Sequence, residues 1–305
     1  MNAQMLQGKP IAECIEAEVK AAIAGFKAKG ISPKLVSILV GANPGAKFYA
    51  SMQEKACQGV GILYELKEMP EETAQAELEA EIARLNPDAA VHGIILLMPV
   101  PKGLDGQRAQ NLIAQKKDVD GVSAANIGMV VFGRPRLAPC TAMSVIELVR
   151  ASGVDPYGAE VVVVGSSEIV GKPVALLLVD KYITQDAGGK TDKIAGATVT
   201  ICHIGTSQRG DLAAHTRRAD ILVTAVGAKP GLIRADMVKP GAVVIDVATI
   251  RVKDEATGKT KTLGDVDPAA AEIAAYMTPV PGGVGTVTTA LLLRNTIEAA
   301  RWQTE

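Results

Sequence analysis

The 305-residue sequence lacks the features that mark several classes of protein. None of its apolar runs approaches the roughly 18 residues that a membrane-spanning helix needs. The formal net charge is −1, so no basic excess favours nucleic acid or anionic lipid. The first ten residues lack the apolar core of a secretory signal peptide. We therefore expect a cytoplasmic protein that binds neither a membrane nor nucleic acid.

Cysteine and histidine are also scarce. The four cysteines lie far apart with no C-x-x-C pair, and the three histidines are scattered along the chain. This spacing argues against a metal cluster and suits a reducing compartment. We expect no metal site.

The chain has enough apolar residues for a large core. They make up 48% of the sequence and charged residues 21%, as in a globular protein, and the length suits two domains or one large α/β domain. Before residue 100, strands and helices alternate after a first helix that runs from Pro10 to Gly30. The predicted strands are 34–40, 62–66 and 93–98, and the predicted helices are 48–58 and 73–85. This alternation predicts an α/β domain with a parallel sheet.

The second half of the chain repeats the pattern. We predict strands at 161–164, 197–202, 221–226 and 242–247, and helices from 141, at 171–181 and at 286–302. Thr141 is the predicted N-cap of the first of these helices. Residues 121–139 carry few periodic signals and are expected to cross between domains. Residues 184–196 are expected to form a surface insertion, and residues 278–285 an ordered loop.

A glycine-rich turn, Gly165 to Gly171, follows four consecutive β-branched residues. Free N–H groups and the dipole of the next helix would make this turn an anion site, for which a dinucleotide pyrophosphate is the usual occupant. The fingerprint G-x-G-x-x-G is not met, because Ser167 and Val170 stand where the second and third glycines belong. By itself the turn is equally consistent with an ordinary strand–helix connection.

Further motifs occur in a defined order between about residue 8 and residue 298. They are Tyr49 with a helix behind it, G-I-I-L-L-M-P-V-P, K-D-V-D-G, R-L-A-P-C-T, G-S-S-E-I-V-G-K-P and P-V-P-G-G-V-G. Together they closely resemble the methylenetetrahydrofolate dehydrogenase/cyclohydrolase (FolD) family. The resemblance implies an N-terminal three-layer α/β folate domain (1–140 and 281–305) and a Rossmann-type dinucleotide domain (141–280). It also implies a C-terminal helix that returns to the first domain, a folate substrate, NAD or NADP as cofactor, and a homodimer.

The resemblance also implies roles for individual residues. Tyr49 would stack on the pterin side of folate, and Asp120 would hydrogen-bond the pterin edge. Other residues expected at the substrate are Leu97, Met98, Pro99, Pro281, Gly282, Gly285 and Thr288. Residues expected at the dinucleotide are Thr141, Gly165, Ser166, Ser167, Ile169, His203, Gly227 and Val247. Without the resemblance, Tyr49 is interpreted as a core aromatic and Asp120 as a solvated turn residue.

Two departures from the family pattern bear on the activity. Gln53 occupies the place of the lysine that is central to cyclohydrolase chemistry, and Leu97 replaces the glutamine that would hydrogen-bond it. Lys55 is no substitute, because it lies about 120° around the helix from Tyr49. A neutral amide neither gains nor loses a proton near pH 7, so Gln53 cannot act as general acid or base. Hydride transfer needs mainly alignment.

We therefore predict a methylenetetrahydrofolate dehydrogenase whose cyclohydrolase activity is lost or weak. The alternatives are the ordinary bifunctional enzyme, a non-catalytic folate-binding relative, and a dehydrogenase for another substrate. The cofactor is predicted to be NAD or NADP with a preference for NAD. Ser166 and Ile204 stand where NADP-using relatives carry groups for the 2′-phosphate, with Glu168 nearby, although Lys172 and Arg209 are close.

Overall fold

The computed structural model describes residues 2–180, 184–185, 191–192, 195–253 and 260–305. Its strands are β1 (Gln4–Met5), β2 (Lys34–Val40), β3 (Leu63–Met69), β4 (Gly93–Leu96), β5 (Glu160–Val164), β6 (Thr184–Gln185), β7 (Thr191–Asp192), β8 (Thr198–Cys202), β9 (Ile221–Thr224), β10 (Val243–Asp246), β11 (Ile250–Lys253), β12 (Thr260–Leu263) and β13 (Tyr276–Met277). Its α-helices are α1 (Gly8–Ala28), α2 (Pro44–Val60), α3 (Gln75–Leu85), α4 (Gly106–Leu112), α5 (Ala124–Val131), α6 (Cys140–Ala151), α7 (Gly171–Val179), α8 (Ile204–Gln208), α9 (Leu212–Thr216) and α10 (Val284–Thr304). Two short 3₁₀ helices span Ala235–Met237 and Pro268–Glu272.

The chain divides into two compact units. The three-stranded unit comprises Ala12–Met129, Pro135–Cys140 and Thr289–Glu305. The six-stranded unit comprises Val130–Arg134, Thr141–Thr288 and the residues before Ala12. Most of the last helix therefore belongs with the N-terminal sheet.

The three-stranded unit confirms the strand–helix repeats predicted from the sequence. Its parallel sheet has the order β3–β2–β4, with β2 in the centre. Five of the seven β2 residues are apolar and fully buried or nearly so, because helices cover a central parallel strand. Leu78, Ile82 and Leu85 form the apolar stripe of α3 that packs on this sheet.

The six-stranded unit has a single parallel sheet of order β1–β13–β10–β9–β5–β8. Apart from Glu160 at the start of β5 and Asp246 at the end of β10, the central strands β5, β9 and β10 consist of buried β-branched or leucine residues, as expected for a sheet covered on both faces. The predicted Rossmann-type architecture is confirmed.

Several predicted elements differ in the structure. The stretch 121–139 contains helix α5. The sequence of α5 is mostly apolar, so its hydrophobic pattern has no clear helical period. The Ser123 N–H donates a hydrogen bond to the Asp118 carboxylate just before the helix begins. Thr141 is the second residue of α6 and not its N-cap, because the helix begins one residue earlier, at Cys140. The Cys140 N–H donates to the Asp120 carbonyl. The hairpin β11–β12 and strands β1 and β13 were not predicted.

Most of the predicted surface insertion, 184–196, lies outside the described residues. Within the part of the chain that the structure describes, no helix is both long enough and apolar enough to cross a membrane.

Candidate active site

Helix α2 carries two of the predicted site residues on adjacent turns. Asn43 begins the helix, since its side chain accepts the N–H groups of Gly45 and Ala46. The buried face of α2 is Ala46, Ala50, Gln53, Cys57 and Val60, which is an apolar stripe except at Gln53. Tyr49 lies one turn before Gln53 and is only half-buried. A buried amide therefore lies one helical turn from a half-buried tyrosine.

Gln53 is fully buried, and among the described residues only its side-chain oxygen has hydrogen-bond partners. Its Oε1 accepts the Ser37 hydroxyl at 2.7 Å and the Tyr64 hydroxyl at 3.5 Å. Its Nε2 has no hydrogen-bond partner among the described residues. A buried donor without a partner is unfavourable by about 1–3 kcal/mol, so this N–H₂ group is a candidate contact for a bound ligand or an ordered water.

Tyr49 is held in its neutral form. Burial raises the pKa of its hydroxyl well above 10, and the negative charge of Asp120 raises it further. Gln53 lies close enough to oppose part of this rise, although its Nε2 does not reach hydrogen-bond geometry with the phenol. The phenol can donate or accept a hydrogen bond near pH 7, but it cannot serve as an anionic base.

The two aspartates of the D-V-D-G motif have different environments. Asp118 is fully buried and accepts the Gly121 N–H, the Ser123 N–H and the Asn126 side-chain amide at 2.8–3.0 Å. Asp120 is half-buried, and burial, with a smaller effect of the Asp118 charge, raises its pKa to about 7. Asp118 therefore holds the loop, while Asp120 can change its charge near neutral pH.

A buried asparagine fixes the backbone around Asp120. Asn295 of α10 donates to the carbonyls of Val119 and Ala138 at 2.9 and 3.1 Å, and to Cys140 Sγ at 3.3 Å. Gly121 has φ +72°, and a β-carbon there would lie 2.4 Å from the Ala138 carbonyl carbon, so only glycine fits. The loop that carries Asp120 is thus pinned from both sides.

The residues after β4 divide between core and surface. Leu97 is 2% exposed, and its N–H donates to the Ile38 carbonyl, which extends the sheet by one residue. Met98 and Pro99 are exposed, and the peptide bond between them is cis. The structure therefore places Leu97 in the core and leaves Met98 and Pro99 accessible; their role at a substrate stays a prediction.

In the six-stranded unit, the predicted cofactor residues gather at the carboxyl ends of neighbouring strands. Gly165 follows β5, His203 follows β8, Gly227 follows closely on β9, and Val247 follows β10. Because β10, β9, β5 and β8 are adjacent and parallel, these residues lie at one edge of the sheet. Parallel sheets bind nucleotides at this edge. Their contact with a dinucleotide stays a prediction.

The glycine turn is tighter and less rich in free donors than its sequence suggests. Gly165 has φ +127°, and a β-carbon there would lie 2.5 Å from the Ala225 carbonyl oxygen. The Ser167 hydroxyl accepts the N–H groups of Val170 and Gly171 at 3.2 and 3.3 Å. Ser167 therefore acts as the cap of α7 and occupies two of the N–H groups expected to face an anion. Ser166 is half-buried and Ile169 is exposed.

The P-V-P-G-G-V-G segment leads into α10 within the six-stranded unit. Pro281, Gly282 and Gly285 are exposed, and the Gly282 carbonyl accepts the Gly8 N–H at 2.8 Å. The Thr288 hydroxyl lies 2.9 Å from that of Ser144 on α6, the helix that also carries Thr141.

Several structurally important residues were not predicted. Ser37 is a polar residue among the apolar residues 35–40 of β2, and that contrast was a usable signal, whereas Asn295 lies among many polar residues of α10 and has no such signal. Asp246 and Asp265 are buried carboxylates near the carboxyl ends of β10 and β9, and only the three-dimensional fold brings them together.

A glycine turn at the carboxyl edge of a six-stranded parallel sheet defines a Rossmann-type NAD(P)-binding protein, here with a second α/β unit that carries its own polar site. Residues 139–304 match the family described as tetrahydrofolate dehydrogenase/cyclohydrolase, NAD(P)-binding domain. Residues 6–120 match the catalytic domain of the same family. The chain belongs to the tetrahydrofolate dehydrogenase/cyclohydrolase family.

Individual relatives cover the whole chain. The bifunctional protein FolD of Moorella thermoacetica is 47% identical over 302 residues, which is 99% of this chain and 100% of the relative. A crystal structure of the bifunctional enzyme FolD from Campylobacter jejuni is 38% identical, with TM-score 0.87 and coverage of 98% and 99%. The Trypanosoma brucei dehydrogenase–cyclohydrolase, solved with NADP and an inhibitor, is 36% identical, with TM-score 0.88 and coverage of 100% and 99%.

Proposed function

We propose that this protein is an NAD(P)-dependent 5,10-methylenetetrahydrofolate dehydrogenase. The observation that carries the proposal is the half-buried pair Tyr49 and Asp120, with the buried amide of Gln53 one turn from Tyr49, in a chain similar over 98% of its length to the Campylobacter jejuni methylenetetrahydrofolate dehydrogenase/cyclohydrolase. Tyr49 offers a flat neutral ring for a pterin, and the Asp120 carboxylate offers an acceptor for pterin N–H groups. Hydride transfer requires this kind of alignment and no proton transfer by the protein.

The six-stranded unit fits a dinucleotide. The close approach of Gly165 to Ala225 leaves no room for side chains at the end of β5, and a β-carbon on Gly227 would meet no described heavy atom within 4 Å. Gly165, Ser166, Ile169, His203, Gly227 and Val247 would line the cofactor. When bound, its nicotinamide ring would accept the hydride from the methylene carbon.

For the hydrolytic activity, the ordinary bifunctional enzyme is better supported than a dehydrogenase without cyclohydrolase activity. The Moorella and Campylobacter relatives are both called bifunctional, at 47% and 38% identity over nearly the whole chain. We therefore propose cyclohydrolase activity together with the dehydrogenase. Since Tyr49 stays neutral and Gln53 does not titrate, Asp120 is the group of these three that can exchange a proton near pH 7.

A dehydrogenase without hydrolase is the second candidate, and Gln53 is the observation that favours it. The hydrogen-bond partners of Gln53 among the described residues are the hydroxyl groups of Ser37 and Tyr64, and Leu97 is also buried. This pocket holds a neutral amide and supplies no proton acceptor for activating water.

We propose NAD as the preferred cofactor. Lys172, directly after the turn, pairs with Glu168 at 2.7 Å, and Arg209, beyond the end of β8, pairs with Asp211 at 3.2 Å. A 2′-phosphate would have to compete with those partners and would meet the negative charge of Glu168. We also propose a homodimer, on the family resemblance; its mass in solution, measured by light scattering, tests this.

An absorbance time course tests both activities. The purified protein is mixed with 5,10-methylenetetrahydrofolate and either NAD or NADP, and reduced cofactor and methenyl product are followed separately. We expect reduction, faster with NAD, and clearance of methenyltetrahydrofolate faster than in an enzyme-free control. Reduction with no added clearance would establish the second candidate. No reduction with either cofactor would refute the dehydrogenase proposal.

The double variant Gln53→Lys, Leu97→Gln separates the two candidates further. If hydrolysis in the natural protein does not use position 53, the variant changes the rate of methenyl clearance by less than about twofold. If the lysine is the one group that the hydrolytic site lacks, the variant raises this rate by at least about tenfold. Gln58→Lys on the exposed side of α2 controls for added charge.

A further inference from the structure

A buried carboxylate, Asp265, holds the turn that follows β9. Its Oδ2 accepts the Val226 N–H at 2.7 Å, and its Oδ1 accepts the Gly227 N–H at 2.9 Å. Asp265 has no exposed surface, whereas Val226 and Gly227 are both exposed. Two charge-assisted hydrogen bonds to consecutive peptide groups fix the orientation of both peptide planes.

A second buried carboxylate fixes Asp265 in its turn. Asp246, at the end of β10, is 2% exposed and lies against Gly264, where any β-carbon would overlap its carboxylate. Its oxygens accept three backbone N–H groups at 2.8–3.1 Å, those of Ala248, Asp265 and Val266. The segment that presents Asp265 is therefore anchored to the sheet itself.

This arrangement reverses the usual polarity of the turn. Backbone N–H groups beyond a parallel strand generally face the ligand, where they favour phosphate. Here the N–H groups of Val226 and Gly227 face Asp265. In a trans peptide the carbonyl points opposite to the N–H, so the Val226 carbonyl points away from Asp265. The exposed turn thus presents an acceptor.

We propose that Asp265 is a positioning residue of the dinucleotide site, which directs the Val226 carbonyl to accept a hydrogen bond from a ribose hydroxyl or the nicotinamide carboxamide. The inference rests on the proposed function, because it needs a dinucleotide at this edge. The neighbouring turn lies against it, since a β-carbon on Gly165 would lie 2.5 Å from the Ala225 carbonyl oxygen. A carbonyl oxygen repels phosphate oxygens, so the pyrophosphate of the dinucleotide would bind elsewhere along the carboxyl end of the sheet.

The test is the variant Asp265→Asn, with Asp267→Asn as its matched control. In Asp265→Asn an amide N–H₂ group must face a backbone N–H, so the turn loses one hydrogen bond and rotates. Asp267 accepts only the Ala269 N–H at the start of a 3₁₀ helix, a role that asparagine fills equally well. Calorimetry measures the Kd for NAD and for tetrahydrofolate in the full-length protein.

We expect Asp265→Asn to raise the Kd for NAD about tenfold or more and to leave the Kd for tetrahydrofolate within about twofold. The control variant should change neither. An unchanged Kd for NAD, or equal weakening of both ligands as from general loosening, would overturn the proposal. The acetylpyridine analogue of NAD lacks the carboxamide N–H₂: a smaller effect with it identifies the carboxamide as the donor, and an equal effect identifies a ribose hydroxyl.

If Asp265→Asn does not fold, Gly227→Ala takes its place. Its methyl group would meet nothing within 4 Å of the described protein, so the fold survives apart from strain at φ +67°. We expect the Kd for NAD to rise about fivefold, and an unchanged Kd would refute the proposal. Because binding is read directly, natural protein that binds NAD without oxidising methylenetetrahydrofolate would refute the proposed function and leave this inference testable. Natural protein that does not bind NAD would refute the inference.

Discussion

Asp118 and Asp120 show how one residue's surroundings decide whether it supports the fold or the chemistry. Asp118 is saturated by donors from its own loop. Asp120 lies beside it with a pKa raised to about 7, because burial disfavours its charged form. A carboxylate kept partly desolvated is unfavourable for the fold and available to a ligand.

The pH dependence of stability should expose this conflict. A carboxyl group whose pKa is higher in the folded protein than its unfolded value near 4 binds its proton more tightly when folded. The stability that the protonated Asp120 carboxyl group gives the folded protein, relative to its charged form, is fully present below pH 4. It is lost as the pH rises through about 7. We expect Asp120→Asn to raise the free energy of unfolding by on the order of 2 kcal/mol at pH 8, discounted for partial exposure, and by little at pH 4.

Urea unfolding at a series of pH values measures this difference, with Glu68→Gln on the exposed face of β3 as control. The same Asp120→Asn variant should bind tetrahydrofolate at least about tenfold more weakly at pH 8, since its N–H₂ group opposes pterin donors. A difference in stability that does not change between pH 4 and pH 8 would contradict the interpretation.

For single residues, the sequence predicts the chemistry of the side chain better than the contacts that surround it. The amide of Gln53 is visible in the sequence, and its inability to transfer protons follows from amide chemistry alone. Its partner Ser37 is not visible, because the two residues meet only when α2 packs on β2. The loss of two free N–H groups to Ser167 likewise depends on a side-chain torsion that no motif specifies.

Among the elements, the strand–turn–helix from β5 to α7 is the most tightly constrained. The end of β5 comes within contact distance of the end of β9, so Gly165 serves steric fit as well as a positive φ. Gly158 has φ +72° but meets nothing within 4 Å, so it needs glycine for its backbone angle alone. The pair separates the two reasons for a glycine.

We expect Gly165→Ala to lower the free energy of unfolding by about 3 kcal/mol or more, because both the strain and the main-chain clash apply. Gly158→Ala should lower it by only about 1 kcal/mol, through backbone strain alone. Chemical denaturation of the two variants measures both values. Equal losses would show that the close approach to Ala225 relaxes without penalty.

Elements with a clear period or a buried β-branched run were predictable, and short or uniformly apolar ones were not. Helices α2 and α3 show one apolar stripe each, and β5 is a run of valines. Helix α5 is apolar on nearly every side, and β13 has two residues whose pairing depends on β1 and β10 from distant parts of the chain. Sequence periodicity carries no information about such pairing.

For the whole molecule, the C-terminal helix is an integral part of the N-terminal unit. Asn295 bonds to backbone groups at Val119 and Ala138, and Arg136 pairs with Glu298 at 2.6 Å. Leu291, Leu292 and Ile297 are buried. Contacts across more than 150 positions of the sequence therefore complete this unit.

We expect Asn295→Ala to lower the free energy of unfolding by about 2–3 kcal/mol, because the buried Ala138 carbonyl loses this donor and the Val119 carbonyl keeps only the weakly donating Cys140 thiol. Thr304→Ala, which removes only a hydroxyl bonded within its own helix, should lower it by less than about 0.5 kcal/mol. Thermal unfolding of both variants checks this. A loss in Asn295→Ala as small as in the control would mean that water replaces the amide.

The interleaved order of the two units has a consequence for biosynthesis. The ribosome makes the sheet β3–β2–β4 early but makes Thr289–Glu305, which finishes the same unit, last. At about 5–20 residues per second, residues 97–288, which lie between the sheet and this helix segment, take roughly ten to forty seconds to emerge. During that interval the nascent chain lacks Leu291, Leu292 and Ile297, which are buried in the folded unit, and we therefore expect it to bind chaperones at the ribosome exit.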